Sequence, residues 1–383
     1  MFWCFRCVRN LIGAIVALAG LLALTEVGLR ITRLTHPELI TAPEETYPLA
    51  MPSAVTGWEL QPAGRITVST DRGEAVVFRT NSVGLRGDEV AVPKPQGVYR
   101  IVCLGDEALL ASTLPEEFTL PQQLAKRLQS TTQARVEVLN AGLPHGTPET
   151  AAIHYRQRLT ALQPDLVILH VHAGDVADDQ SLRKWMIRDP QGHALVCAHP
   201  DLRSPPKELP VAELRREFAV IDWAWTQAGQ QWTDPQPTPR ARPQRLTQTA
   251  VEQMLTPIEH LAALCQATSA AFVVCLAPTA EAEIAAKLDH DNPFTSTAFS
   301  WLAQRRIAVV DGTAALRSRD DFLTASDGWS PQGQSHLADF LATQILQNLR
   351  GPWSAPYAAP TTLPVNHTQP ATAESPRQPR AMR

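Results

Sequence analysis

The sequence predicts a doubly wound α/β fold of the flavodoxin-like kind, built on one five-stranded parallel sheet. Three observations predict it. Five short runs are rich in β-branched residues and continuous in hydrophobicity rather than alternating, as strands covered on both faces are. Segments of helical length separate them, which is the strand–helix alternation of a parallel sheet. A hydrophobic share of 44% over 383 residues supplies a sizeable core and excludes wholesale disorder. Charge excludes another class: 34 basic against 38 acidic residues give a net charge of −4. No basic field exists to hold a phosphate backbone, so no nucleic-acid partner is expected.

The elements follow in chain order. Residues 1–10 form a basic end carrying Arg6 and Arg9, presumed cytoplasmic. An uncharged apolar run from Leu11 to Thr25 follows, and the segment 11–31 reads as a single-pass transmembrane signal anchor. The flanking arginines place the N-terminus inside and the main domain outside the cytoplasm. A cleaved signal peptide is the rival reading. Cys4 and Cys7 beside it are a lone C-x-x-C pair, a weak zinc signal. Residues 36–96 form a β-rich lead-in, in which RITVST and AVVFRT flank the turn-like TDRGE as a hairpin.

The α/β domain spans 97–350. Its strands are Tyr99–Gly105, Arg135–Asn140, Asp165–Val171, Ala270–Ala277 and Arg306–Asp311. Helical segments start at Phe118 and cover Pro148–Leu162, Leu246–Gln266, Asn292–Gln304 and Gln332–Leu349. A proline-rich insert at about 178–243 carries Trp185, Trp223, Trp225 and Trp232, as a lid, a partner surface or packing onto the core. Cys103 and Cys275 fall in strands and read as small core hydrophobes. Cys197 and Cys265 are the two cysteines left to pair. Residues 351–383, with seven prolines, read as a disordered tail whose Asn366 sequon is incidental.

In such a sheet, chemistry belongs at the carboxyl ends of the strands. The first strand runs into CLGDEALLAS, the second into LNAGLPHGTPET and the third into HVHAGDVADD. DGWSPQGQSHLADFLA precedes the closing helix. In that order and spacing these stretches resemble the SGNH (GDSL-type) hydrolase family over roughly Gly57 to Arg350. The lead-in TNSVGLRGDEVAVPKPQGVYRIVCLGD resembles its membrane-anchored bacterial, planctomycete-type branch. The resemblance implies ester hydrolysis of carbohydrate, lipid or small acyl substrates, without a cofactor.

Carried over residue by residue, the resemblance implies a degenerate site. The family's G-D-S is Gly105-Asp106-Glu107 here, so a glutamate stands for the nucleophilic serine. Gly142 matches the glycine whose N–H helps form the oxyanion hole. Gly174, before Asp175, stands for the other donor, an asparagine. Asp327 matches the acid of the last motif, but its histidine partner position is Ser330. An anionic carboxylate at 107 would repel a tetrahedral oxyanion, and no imidazole stands ready to activate a nucleophile. Ser112, Ser330 and His336 are the nearest displaced substitutes, with His336 three residues into the closing helix. The reading is a pseudo-hydrolase that keeps its crevice for a carbohydrate, acyl ester or protein ligand. The alternative is an esterase or O-deacetylase acting through displaced residues. Asp106, Glu107, His145, His172 and Asp175 also fall together at the strand ends, where two imidazoles and three carboxylates would suit a divalent metal. The plainer expectation is that Asp106 and Asp175 hold loops, His172 satisfies a carbonyl, and no metal is bound.

Overall fold

The computed structural model describes residues 47–69, 75–132, 134–199, 246–279, 294–323 and 328–353, with residue 202 and part of a helix between residues 13 and 31. Asp327, Cys4, Cys7, Trp223, Trp225, Trp232 and the tail beyond residue 353 lie outside the described residues. Helical residues 20–28 expose Leu21, Leu22, Leu24 and Val27. Among the described residues, no helix is long and apolar enough to cross a membrane.

The lead-in holds two hairpins: β1 (Ala50–Ser53) with β2 (Gly57–Leu60), and β3 (Arg65–Ser69) with β4 (Ala75–Arg79). The second is the hairpin expected around TDRGE. The first has no alternation to announce it, and its strand AMPS carries a proline. β5 (Val98–Gly105) then leads to α1 (Glu107–Leu110), α2 (Leu120–Thr132), β6 (Arg135–Gly142), α3 (Pro148–His154) and β7 (Leu166–Val171). Next come α4 (Asp175–Leu182) and a small hairpin, β8 (Met186–Arg188) with β9 (Ala194–Cys197). The chain closes with α5 (Gln248–Leu255), α6 (Pro257–Ala267), β10 (Ala271–Leu276), α7 (Phe294–Gln304), β11 (Ala308–Asp311) and α8 (Pro331–Asn348).

Five strands form one parallel sheet in the order β11-β10-β7-β5-β6. Numbered along the chain this is 2-1-3-4-5, the flavodoxin-like order, with its switch point between β5 and β7. Helices cover both faces, so both faces of each strand are apolar. Val102, Leu104, Val167, Leu169 and Val274 pack with α3, α5, α6 and α7. Ile101, Cys103, Ile168, Val273 and Cys275 pack with α2 and α8.

Two expected helices are interrupted. The helix from Pro148 ends at His154 and continues as a π-turn over Tyr155–Leu159, where the Tyr155 hydroxyl meets Thr268 Oγ1 at 2.6 Å. The segment from Leu246 is two helices, because Pro257 has no N–H to continue the first. Cys197 and Cys265 are not bridged to each other: both are buried, in separate apolar clusters.

One polar residue within β5 shows how the sheet is pinned at its amino end. Arg100 is fully buried, and its guanidinium donates to Glu137 Oε2 at 2.9 Å, Leu162 O at 2.8 Å and Ala91 O at 3.0 Å. Asp165 accepts from Arg100 N at 2.7 Å and from Lys94 at 2.6 Å. Each nitrogen of this costly buried charge thereby has a partner.

Candidate functional site

The switch point brings the loop after β5 against the loop after β7. Asp106 ends the first, capping the short helix α1 by accepting from Ala108 N at 3.1 Å. Its other oxygen accepts from His172 Nε2 at 2.8 Å. The His172 ring also lies near Asp175: Nε2 is 3.1 Å from Oδ1, and His172 N donates to Oδ2 at 3.1 Å. On its far side, Nδ1 accepts from Gly174 N at 3.1 Å and stands 3.2 Å from Thr279 Oγ1. An N–H aimed at Nδ1 assigns the ring proton to Nε2, between the two carboxylates.

Asp106, His172 and Asp175 are all buried. Burial alone would raise the Asp106 carboxyl, but charge attraction and hydrogen bonds from His172 and His170 outweigh it and hold that carboxyl well below its usual range. Burial dominates at Asp175 and raises its carboxyl, with His172 opposing. The two acids are pushed apart, so one is ionised while the other keeps its proton more readily.

Glu107 stands beside them at the start of α1. Burial, followed by the charge of Asp106, pushes its carboxyl up to about 8 from 4.5, and His145 opposes the shift. Its Oε2 accepts from His145 N at 3.2 Å. That reach depends on His145 adopting a left-handed backbone, φ 52°. The His145 ring faces Asp178, with Nδ1 3.5 Å from Oδ1, and packs edge-on against Tyr47 with centroids 5.6 Å apart. Tyr47 and Trp58 come from the lead-in, so it forms an aromatic wall at this loop.

The structure joins Asp106, Glu107, His145, His172 and Asp175, the five polar residues expected at the strand ends. The oxyanion positions are arranged for other purposes. Gly142 N, the implied donor, donates to Asn140 Oδ1 at 3.0 Å. A Cβ at Gly142 would lie 2.6 Å from Leu110 N, so the residue is needed for close packing against α1. A Cβ at Gly174 would lie 2.4 Å from His172 Cε1. The missing asparagine side chain has given its space to an imidazole. Gly105 ends β5 opposite Gly142 in the parallel register.

Ser330 is the N-cap of α8: its Oγ accepts from Gly333 N at 3.2 Å and donates to Asp320 O at 2.5 Å. His336 does not join the cluster. Its Nδ1 pairs with Asp321 Oδ1 at 2.9 Å, and that carboxylate is already held by Arg317 N and Ser318 N. Ser112 makes no contact with the cluster among the described interactions.

Several partners were not singled out from the sequence. His170 Nε2 donates to Ala277 O at 2.8 Å, and Nδ1 faces Asp106 Oδ1 at 3.5 Å. Trp329 is wholly buried against His170, ring centroids 4.6 Å apart, and donates to Pro278 O at 2.7 Å. Arg86, within the lead-in stretch TNSVGLRGD, is buried and donates to the carbonyls of Leu110, Ala111 and Leu114. It therefore clamps the end of α1 that follows Glu107. The signal for His170 was its place in the apolar strand LVILHV, where a polar side chain must find a partner.

No family profile matches the sequence, and no curated protein matches it. Solved structures do. A lipolytic protein of the G-D-S-L family from Desulfitobacterium hafniense is 14% identical, with a TM-score of 0.37 over 64% of this chain and 98% of that one. A structure named TesA is 12% identical, with a TM-score of 0.40 and the same two coverages. A lipase/acylhydrolase from Enterococcus faecalis is 15% identical, with a TM-score of 0.38 over 66% of this chain and 97% of that one. These likenesses concern fold alone. By its own strand order and the loops at its carboxyl edge, the described core has an SGNH-like α/β fold.

Proposed function

We propose that this chain is a membrane-tethered SGNH-like domain that has lost ester hydrolysis and uses its crevice to bind a ligand. One observation carries the reading. The residue in the nucleophile's place is a carboxyl group engaged by the backbone N–H of His145 at 3.2 Å. A glutamate there occupies the reaction centre, and an ionised one opposes the oxyanion of acyl transfer. The base and both oxyanion donors are committed elsewhere or replaced, as the geometry at Ser330, Gly142 and Gly174 describes. The apolar N-terminal segment 11–31 supplies the tether in this reading, with the domain outside the cytoplasm. Carbohydrates, acyl esters and protein segments are the ligand classes to try.

The test is p-nitrophenyl acetate turnover by the purified protein against a Glu107→Ala/His336→Ala double variant. Equal, background-level rates support the proposal. Turnover by the unmodified protein well above the variant overturns it. Glu107→Ser alone is expected to remain inactive, because the base histidine's place in the closing motif is held by Ser330. A second reading rests on a hydroxyl–imidazole–carboxylate chain: Thr279 Oγ1, His172 and Asp106 at 3.2 and 2.8 Å. Thr279 is only 2% exposed, which bars a substrate carbonyl from its hydroxyl. Turnover abolished by Thr279→Val would favour this second reading.

A further inference from the structure

The Asp106–His172–Asp175 cluster has a feature that loop-holding does not explain. Asp175 is 1% exposed, yet its Oδ1 has no hydrogen-bond partner. His172 Nε2 lies 3.1 Å away, but its hydrogen is directed at Asp106 Oδ2. A buried carboxylate oxygen left without a donor is costly. Asp106 and Asp175 share the one imidazole of His172, and among the described residues no lysine or arginine pairs with either.

We propose that Asp106 Oδ2, His172 Nε2 and Asp175 Oδ1 form a divalent-cation site, taking Zn²⁺ or Mn²⁺. One atom from each residue lies within 4.8 Å of the others. The separations from Nε2, 2.8 and 3.1 Å, match the ~3 Å between neighbouring ligand atoms around a cation with bonds near 2.1 Å. Two carboxylates with one imidazole suit Zn²⁺ or Mn²⁺ better than Ca²⁺, which takes oxygen ligands. The cation replaces the proton on Nε2 and neutralises the paired acids. Nδ1 then carries the ring proton, and Thr279 Oγ1 at 3.2 Å is the acceptor that orients the ring. The contact from Gly174 N is given up in exchange. The ion ties the loop after β5 to the loop after β7. This goes beyond the binding reading above and is independent of it, since the site uses none of the atoms of Glu107 and requires no turnover.

The experiment is equilibrium dialysis of the full-length protein against Zn²⁺, and separately Mn²⁺, followed by elemental analysis. One ion per chain is expected, with a rise in Tm that EDTA reverses. Asp175→Asn keeps the shape and the acceptor for His172 N; it should lose at least tenfold in affinity. His193→Gln/His260→Gln, which removes a stacked histidine pair elsewhere, should bind as the parent does. The Tm measurement on the unaltered protein needs no variant to fold. Absence of bound ion and of any Tm change overturns the proposal. So does binding undiminished in Asp175→Asn, or lost in the His193/His260 variant. Esterase assays on metal-free protein test the pseudo-hydrolase reading separately, so each can fail alone.

Discussion

Replacing Glu107 by glutamine removes an ionisation while keeping the acceptor that His145 N uses at 3.2 Å. The expected effect follows from linkage. Burial and Asp106 place the folded carboxyl at about 8, against 4.5 when unperturbed. The folded state therefore holds this proton more tightly than the unfolded state. Unfolding releases it between these two values, so stability falls as pH rises through that window. The steepest slope for one proton is about 1.4 kcal/mol per pH unit, and the whole window would cost at most about 5 kcal/mol. Glu107 keeps some contact with solvent, which screens part of this, so about 2–3 kcal/mol is the working figure. Asp106 acts in a separate window below its ordinary 3.8, because its carboxyl is lowered. Asp175 is raised and slopes with Glu107, but it is common to both proteins and cancels in the difference. Urea unfolding of parent and Glu107→Gln at pH 5, 6, 7, 8 and 9 gives that difference directly. Relative to the variant, the parent should lose about 2–3 kcal/mol between the ends of the series. A difference constant within about 0.5 kcal/mol would refute the buried, proton-holding Glu107.

Two further substitutions test how the site is held. Gly174→Ala places a methyl group 2.4 Å from His172 Cε1, so the ring must move off Asp106; a loss of about 2–4 kcal/mol by urea unfolding is expected, and a change under 0.5 kcal/mol would show that the ring has room. Arg86→Met leaves the carbonyls of Leu110, Ala111 and Leu114 without their donor inside the core. About 3–5 kcal/mol should be lost, with faster hydrogen exchange at α1; unchanged exchange there would remove Arg86 as the clamp of the Glu107 loop.

The sheet was legible because its inner strands are buried on both faces and so carry nearly unbroken apolar runs, while the edge strand β11 is only half-buried. The two interrupted helices were harder for different reasons. Pro257 is a local break that the sequence displays openly, whereas at the π-turn after His154 Tyr155 meets Thr268, more than one hundred residues away, a contact no local pattern announces. The β1–β2 hairpin has little alternation and packs through Leu60 against Leu110 and Leu143, contacts no local pattern encodes. At the site, the strand ends could be read, because topology alone brings Asp106, Glu107, His172 and Asp175 together. The hydrogen-bond choices could not. Whether Gly142 N serves an oxyanion or Asn140 Oδ1 depends on one side-chain rotation, and whether His336 faces the crevice depends on the helix phase of α8.

The replaced positions constrain one another. Restoring an asparagine at 174 requires space that the His172 ring now fills, and that ring is fixed by Asp106 on one edge and Gly174 N on the other. Restoring a histidine at 330 removes the hydroxyl that caps α8 at Gly333 N, at a cost of about 1 kcal/mol. Restoring serine at 107 frees the space of a carboxylate but does not restore the histidine whose place Ser330 holds. An oxyanion donor is worth about 10²–10³ in rate, and a triad acts as a unit, so under the proposed loss of hydrolysis no one of these steps is expected to restore turnover by itself. Each step also has to work against contacts present now. The residues at the carboxyl edge are thus packed around the Asp106–His172–Asp175 contact, and that contact is where a ligand search should begin.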